Sequence, residues 1–124
     1  MIPPDRARVP LAAAAKARIG ARAALDRKAD ALLVLDVQEV SGIADYFVIC
    51  NGTSTTQVRA IADAVEASLK AEGVYVAHRE GLPESGWLLL DYGDVVVHVF
   101  LPDTRDFYSL ERLWGDAPEL PIEA

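Results

Sequence analysis

Two segments of the chain carry residue types that are able to do chemistry, and the first is Asn51-Gly52-Thr53-Ser54-Thr55. A glycine followed by hydroxyl groups at the start of a helix can hold a phosphate through free backbone amides and the helix dipole. A nucleotidyltransferase also needs carboxylates that converge on magnesium ions, and no Asp-x-Asp pair follows this helix. The pattern therefore favours a well-capped helix and leaves nucleotide binding as the alternative.

The titratable residues elsewhere do not form a recognisable catalytic or metal-binding pattern. His78 and His98 fall on different predicted strands without zinc-ligand spacing, and no basic residue stands beside Cys50 to depress its thiol pKa. His98 shares a predicted strand face with apolar residues, which is typical of a partly buried, hydrogen-bonded structural histidine. We therefore expect no enzymatic activity, no metal and no cofactor.

The second segment, from Trp87 to Trp114, is rich in aromatic residues, although the chain as a whole is poor in them. Tryptophan and tyrosine next to acidic groups are typical of hot spots that bind a basic partner. The alternative is that these rings form the protein core, which the pattern favours for Phe100 and Phe107 and leaves open for Trp87 and Tyr92. The full aromatic set is Trp87, Tyr92, Phe100, Phe107, Tyr108 and Trp114.

The elements that would position these residues read as an α/β chain of α+β type. Ser54 and Gln57 fit a capping box, and Asp91-Tyr92-Gly93-Asp94 suits a tight hairpin turn. Residues 94–100 are rich in β-branched side chains and stop before Pro102. The predicted order is a helix at 11–28, strands at 31–37 and 45–50, a helix from 54 to 73, a strand at 74–78, two hairpin strands and a short C-terminal helix. These elements predict a mixed five-stranded sheet with packed helices.

Length and charge limit the class of protein. At 124 residues the chain is long enough for one domain, and it contains no apolar run of membrane-spanning length. Residues 1–30 hold seven basic and three acidic side chains, whereas residues 31–124 hold five basic and sixteen acidic ones. An acidic body is repelled by bare phosphate backbone, so contact with nucleic acid is not required and a basic protein is the expected partner. A lone cysteine and the lack of a secretory signal favour the cytoplasm, although the Arg- and Ala-rich start also suits an organelle transit peptide.

Three segments, in register, resemble the ribosomal silencing factor family, also called Iojap-like proteins. They are residues 43–52, residues 57–63, and the hairpin at 86–100 with the aromatic segment at 107–114. The resemblance implies a nucleotidyltransferase-like topology without catalysis and a cytoplasmic translation repressor. It implies binding to the large ribosomal subunit through its protein fourteen, so that the small subunit cannot join under nutrient limitation. It also implies a homodimer in the free state and leaves open a role in large-subunit assembly without such blocking.

The resemblance also gives domain boundaries and contact residues. It covers residues 12–117, which leaves an irregular N-terminal extension at 1–11 and a tail at 118–124 that we expect to be flexible. By alternation along a strand, three residues of the hairpin share one face and form an apolar and acidic patch. The residues expected to contact the partner are Trp87, Leu89, Asp91, Tyr92 and Asp94, together with Tyr108 and Glu111.

Overall fold

Five strands form one mixed sheet in the order β1-β2-β5-β4-β3, with β2 and β5 parallel and the other neighbours antiparallel. The computed structural model describes residues 11–42, 44–109, 112 and 115–122. The predicted five-stranded mixed sheet with packed helices is confirmed. The elements are α1 (Ala13–Asp26), β1 (Asp30–Asp36), α2 (Gln38–Ser41), β2 (Tyr46–Asn51), α3 (Thr55–Ala71), β3 (His78–Glu80), a 3-10 turn (Pro83–Ser85), β4 (Trp87–Asp91), β5 (Val95–Phe100) and α4 (Pro102–Tyr108).

Helices α1 and α3 pack side by side on one face of the sheet, which we call the helix side. Helix α3 begins after Ser54, whose hydroxyl accepts the amide of Gln57 at 3.1 Å. Gly20 lies where α1 meets both α3 and the sheet, and a Cβ atom there would lie at ordinary contact distance from Val65 and Val97. No helix within the described residues is long and apolar enough to span a membrane. The α3 residues buried on the helix side are Val58, Ile61, Ala62, Val65 and Leu69.

The opposite face of the sheet, which we call the open side only because α1 and α3 lie on the other face, carries a second and smaller apolar cluster of buried residues. Alternation along β2 and β5 divides these strands between the two sides: Val48 and Cys50 join the helix-side core, whereas Phe47 and Ile49 join the open-side cluster. The continuous apolar character of these central strands therefore follows from burial on both sides of the sheet. The open-side cluster consists of Leu35, Val37, Ala44, Phe47, Ile49 and Phe100, with Leu33, Trp87, Val96 and Ala117 at its margin.

The third strand lies further along the chain than the sequence predicts. It was expected at 74–78 but runs over His78–Glu80, where His78 pairs with Asp91 and Glu80 pairs with Leu89. Val74 instead helps to cap the C-terminus of helix α3, because its amide donates to the carbonyl of Leu69 at 2.9 Å. The apolar residues before β3 pack partly against the helix-side core as a connection, so their hydrophobicity reflects packing and not a sheet ladder.

Within the segment from residue 118 that we expected to be a flexible tail, Pro118 and Leu120 pair with the edge of β1. The amide of Asp36 donates to the carbonyl of Pro118 at 2.8 Å, and the amide of Leu120 donates to the carbonyl of Val34 at 2.7 Å. Leu120 and Ile122 pack against the helix-side core. The segment therefore satisfies backbone groups that an edge strand would otherwise expose. The expected extension at 1–11 lies outside the described residues except for Leu11.

Candidate functional site

The start of the β4–β5 hairpin presents three of the predicted contact residues on the open side. Trp87, Leu89 and Asp91 are each partly exposed, whereas the intervening Leu88 and Leu90 are buried on the helix side. The prediction that these three residues share one face is confirmed. We call Trp87, Leu89 and Asp91 the hairpin patch. It combines an aromatic ring, an aliphatic side chain and a carboxylate, which is a combination that suits a protein partner with basic and apolar groups.

A shallow cavity of about 260 Å³ adjoins the hairpin patch, and its lining residues are Glu80, Gly81, Ser85, Trp87 and Leu89. Gly81 has a φ of +87°, and a Cβ atom there would collide with the carbonyl of Trp87. Only glycine therefore allows this close approach and keeps the cavity beside the indole. Sequence reasoning missed Glu80 because it placed the third strand too early, although the alternation of β4 predicts a neighbour across from Leu89.

An aromatic cluster lies beneath the hairpin patch, with His98 at its centre. The ring of His98 meets that of Phe47 edge-on at 5.1 Å and is stacked on that of Phe100 at 6.2 Å. The indole Nε1 of Trp87 donates a hydrogen bond to Nδ1 of His98 at 3.2 Å. The expectation that His98 is a buried, hydrogen-bonded structural residue is confirmed, because only 5% of it is exposed.

Burial changes the protonation of this histidine. Removal from water lowers the pKa of His98 from 6.5 to about 4, and the negative charge of Asp91 opposes part of that change. The imidazole is therefore neutral near pH 7 and able to accept the indole N–H. Its other nitrogen, Nε2, is buried without a hydrogen-bond partner among the described residues.

Tyr92 does not belong to the hairpin patch. It continues the alternation of Leu88 and Leu90, so its ring packs in the helix-side core and only 9% of the residue is exposed. Burial, reinforced by the negative charge of Glu66, raises the pKa of its hydroxyl to about 12, and the nearby Arg79 opposes this. The geometry gives Tyr92 a structural role, and its contact with a partner stays a prediction.

Asp94 is also separated from the hairpin patch by the turn. Its two carboxylate oxygens accept hydrogen bonds from Nζ of Lys16 in α1 at 3.0 and 3.2 Å, so its side chain is directed toward the helix side. Its carbonyl also accepts the amides of Asp45 and Tyr46 at 2.7 and 3.1 Å. Asp94 thus ties the hairpin tip to α1 and to the start of β2, and its contact role likewise stays a prediction.

The remaining two predicted contacts are Tyr108 and Glu111. Tyr108 is the last residue of α4, but its side chain lies outside the described part of the structure, as do Glu111 and the neighbouring residues Leu110 and Trp114.

Sequence reasoning also missed Arg105, which is only 8% exposed. Its Nη1 atom donates to the carbonyl of Ala31 at 2.6 Å and to Oδ1 of Asn51 at 3.0 Å, so it fastens α4 to β1 and β2.

The candidate phosphate loop is occupied by the protein's own side chains. Oε1 of Gln57 accepts the amide and the hydroxyl of Thr53 at 2.6 and 2.7 Å, while its Nε2 donates to the carbonyls of Arg27 and Lys28. The predicted capping box is therefore half formed, with the Gln57 side chain directed to Thr53 instead of Ser54. This arrangement is the well-capped helix that the sequence favoured.

Other candidate reactive groups are equally enclosed. Cys50 is fully buried, and burial raises the pKa of its thiol to about 12, with a smaller opposing effect from the positive charge of Arg105. This fits the expectation of an unreactive core thiol. Within the described residues, no three His, Cys, Asp or Glu side chains are grouped so that they could hold a metal ion.

Comparison with known proteins identifies one family. The sequence profile of the family "Ribosomal silencing factor during starvation" matches residues 10–124. A ribosomal silencing factor from Bacillus subtilis is 48% identical over 101 residues, which cover 82% of this chain and 86% of the relative. A mouse protein named for mitochondrial assembly of the ribosomal large subunit is 36% identical over 86 residues, which cover 67% of this chain and 38% of that protein.

The fold matches solved structures as well. The crystal structure of a protein from Chromobacterium violaceum superimposes with a TM-score of 0.82 at 32% sequence identity. The match covers 92% of this chain and 94% of that one. Sequence and fold therefore point to the same group of proteins.

Proposed function

Because this chain belongs to the ribosomal silencing factor family, we propose that it binds the large ribosomal subunit through ribosomal protein fourteen and prevents the small subunit from joining. Silencing of this kind needs affinity and bulk at the subunit interface, and it needs no chemical turnover. The bound protein would occupy the space that the small subunit requires, which would repress translation when nutrients are limiting. The absence of turnover in this mechanism accords with the enclosed state of Cys50 and of the Gly52 loop.

The observation that carries the proposal is the hairpin patch on the open side of the sheet. Residues that supply most of the binding energy of an interface lie near its centre and are often tryptophan; Trp87 is such a residue, and Leu89 adds apolar contact area beside it. Asp91 adds a carboxylate beside them, and Glu80 adds a second one at the adjoining cavity. The patch therefore offers an apolar centre with an acidic margin, which is complementary to a basic ribosomal protein. Tyr92, Asp94, Tyr108 and Glu111 are proposed as secondary contacts.

Charge supports a protein partner over direct contact with ribosomal RNA. Residues 31–124 carry an excess of eleven negative charges, so an approach to bare phosphate is unfavourable. Basic ribosomal proteins neutralise the RNA around them and provide a surface that attracts this body. We accordingly propose that nucleic acid is not the primary contact and that the protein acts in the cytoplasm, as bacterial silencing factors would.

The proposal is tested by sedimentation with purified ribosomal subunits. The protein is mixed with separated large and small subunits at a magnesium concentration that favours association, and the mixture is run on a sucrose gradient. We expect the protein to migrate with the large subunit and the peak of whole ribosomes to fall. Sedimentation of the parent protein at the top of the gradient, at a concentration where the free chain is monomeric, would refute the proposal.

A pair of charge variants tests the position of the binding surface. Leu89→Arg places a positive charge in the hairpin patch, whereas Ala67→Arg places the same charge on the exposed surface of α3 on the helix side. We expect Leu89→Arg to abolish co-migration, because it opposes a basic partner and removes an apolar contact. Ala67→Arg is expected to bind like the parent. Equal binding by the two variants would show that the interface does not include the hairpin patch.

A second candidate function is assembly of the large subunit without any effect on subunit joining. The observation in its favour is the similarity to the mouse protein, whose name refers to assembly of the mitochondrial large subunit. The gradient separates the two functions, because an assembly factor would migrate with the large subunit while whole ribosomes persist.

We further propose that the free protein forms a homodimer through the same patch. An exposed apolar patch is stabilised when a second copy covers it. The dimer would then compete with the ribosome for one surface. In that case Leu89→Arg would be a monomer by analytical ultracentrifugation at concentrations where the parent is a dimer.

A further inference from the structure

The hydrogen bond between Trp87 and His98 joins a surface residue to a buried one. Trp87 is partly exposed in the hairpin patch, while His98 lies on the neighbouring strand β5 with 5% exposure. The two rings are 5.9 Å apart between centroids and inclined at 40°, and the indole Nε1 lies 3.2 Å from Nδ1. The contact is therefore a directed hydrogen bond and not a stacked pair.

The chemistry of the two rings fixes the tautomer of the histidine. An indole nitrogen can only donate a hydrogen bond, so Nδ1 of His98 must carry a lone pair. The proton of the neutral imidazole is then on Nε2. That Nε2 is buried and has no hydrogen-bond partner among the described residues.

A buried N–H group without a partner costs free energy. Phenylalanine at this position would keep the stacking with Phe100 and would avoid that cost. The feature that only the histidine supplies is the acceptor at Nδ1, and among the described residues its donor is Trp87. The role of His98 therefore depends on the hydrogen bond that it accepts from Trp87.

We propose that His98 is a positioning residue for the binding surface: its Nδ1 atom holds the Trp87 indole in one orientation before the partner arrives. This inference rests on the proposed function, because it gives Trp87 the role of a contact in the hairpin patch. A side chain that is ordered in the free protein loses less conformational entropy on binding. Loss of the acceptor removes this restraint and leaves the indole to its packing contacts, which include the ring of Phe100 at 5.0 Å between centroids.

Two substitutions separate positioning from simple packing. His98→Phe keeps an aromatic ring of similar shape, removes the acceptor, and also removes the unpartnered N–H. His98→Asn leaves a gap in the cluster but places its side-chain oxygen close to the position of Nδ1. Packing alone predicts that His98→Asn is the more damaging variant in every assay. Positioning predicts that stability and binding change in opposite orders.

Binding to purified large subunits is measured for both variants alongside their melting temperatures. We expect His98→Phe to bind about 3- to 10-fold more weakly while melting at or above the temperature of the parent. We expect His98→Asn to bind more tightly than His98→Phe although it melts at a lower temperature. Affinities that follow the melting temperatures, or unchanged affinity in His98→Phe, would overturn the inference.

A spectroscopic signature tests the hydrogen bond without the ribosome, at a protein concentration where the free chain is monomeric. The indole N–H resonance of Trp87 is assigned by its loss in Trp87→Phe. We expect this proton to exchange slowly with solvent in the parent and in His98→Asn, and rapidly in His98→Phe. Slow exchange in all three proteins would contradict a role for Nδ1 in holding the indole.

Trp87→Ala distinguishes failure of this inference from failure of the proposed function. If Trp87→Ala abolishes binding while His98→Phe leaves binding unchanged, the hairpin patch stands and the positioning role is overturned. If Trp87→Ala binds the large subunit like the parent, the patch and the positioning role both fail.

Discussion

Tyr92 buries its ring against the helices, while its hydroxyl has no hydrogen-bond partner among the described residues. We expect Tyr92→Phe to fold at least as stably as the parent, because it removes a buried unpartnered O–H group. Tyr92→Ala should lower the free energy of unfolding by about 3 kcal/mol, because it leaves a cavity in the core. Urea unfolding measures both values.

The same pair of variants tests whether Tyr92 contacts a partner. A folded Tyr92→Phe protein that no longer binds the large subunit would show that the hydroxyl is a contact. Binding at the level of the parent by both variants, measured where Tyr92→Ala is folded, would assign Tyr92 to the core alone.

His98 makes the stability of the fold depend on acidity. Its pKa is 6.5 in the unfolded chain and about 4 in the folded protein, so the unfolded chain takes up the proton first as the pH falls. We expect its contribution to be complete above pH 6.5 and to be lost progressively between pH 6.5 and 4. The total loss is about 3 kcal/mol.

Other groups also contribute to the dependence of stability on pH, so the comparison requires His98→Phe as a reference. The difference in unfolding free energy between the two proteins, measured by denaturant titration at several pH values, isolates the histidine. Parallel curves for parent and variant would contradict the predicted dependence.

At the scale of elements, the contact between α1 and α3 has room for one more methyl group. A Cβ atom at Gly20 would lie 3.6 Å from Cγ1 of Val65 and 3.8 Å from Cγ2 of Val97, which are ordinary contact distances. We expect Gly20→Ala to raise the free energy of unfolding by about 0.5–1 kcal/mol, because glycine weakens a helix interior. Thermal unfolding measures the change, and Gly20→Leu, which exceeds the available space, should melt below the parent.

Elements with a strong period were predictable from the sequence, and elements defined by their neighbours were not. The apolar stripe of α3 and the alternation of β4 gave the correct faces, since each depends only on local geometry. The position of β3 depends on pairing with Asp91, which the sequence does not indicate. The prediction placed the strand too early because Val74 and Val76 are apolar, although they are part of the connection that packs against the core. No periodic pattern in the sequence indicates that Pro118 and Leu120 pair with β1.

The candidate site divides in the same way. Alternation placed Trp87, Leu89 and Asp91 together because they lie within one strand. It could not place Asp94, since the direction of a side chain beyond a turn depends on turn geometry and on its partner, here Lys16. The hydrogen bond from Trp87 to His98 also required the register of β4 against β5.

At the scale of the whole molecule, the negative body predicts how association depends on salt. Complementary charges mainly accelerate encounter, and salt screens them over about 10 Å at 0.1 M. We expect the association rate with large subunits to fall as salt rises from about 0.05 to 0.3 M, with a much smaller change in dissociation. Stopped-flow fluorescence measures both rates. A rise in the association rate would indicate that the protein approaches RNA phosphates, whose repulsion salt would screen.

Because Cys50 is buried, the native chain should react very little with thiol reagents. Cys50 is the single cysteine in the sequence, and a thiol with a pKa of about 12 and no exposed surface reacts only when the sheet opens. A cysteine introduced at the exposed Ala67 would therefore accept a dye selectively, on the side of the molecule away from the hairpin patch. In the native chain, the slow rate at which Cys50 is labelled would report how often the core opens. Binding to the ribosome should lengthen that labelling time.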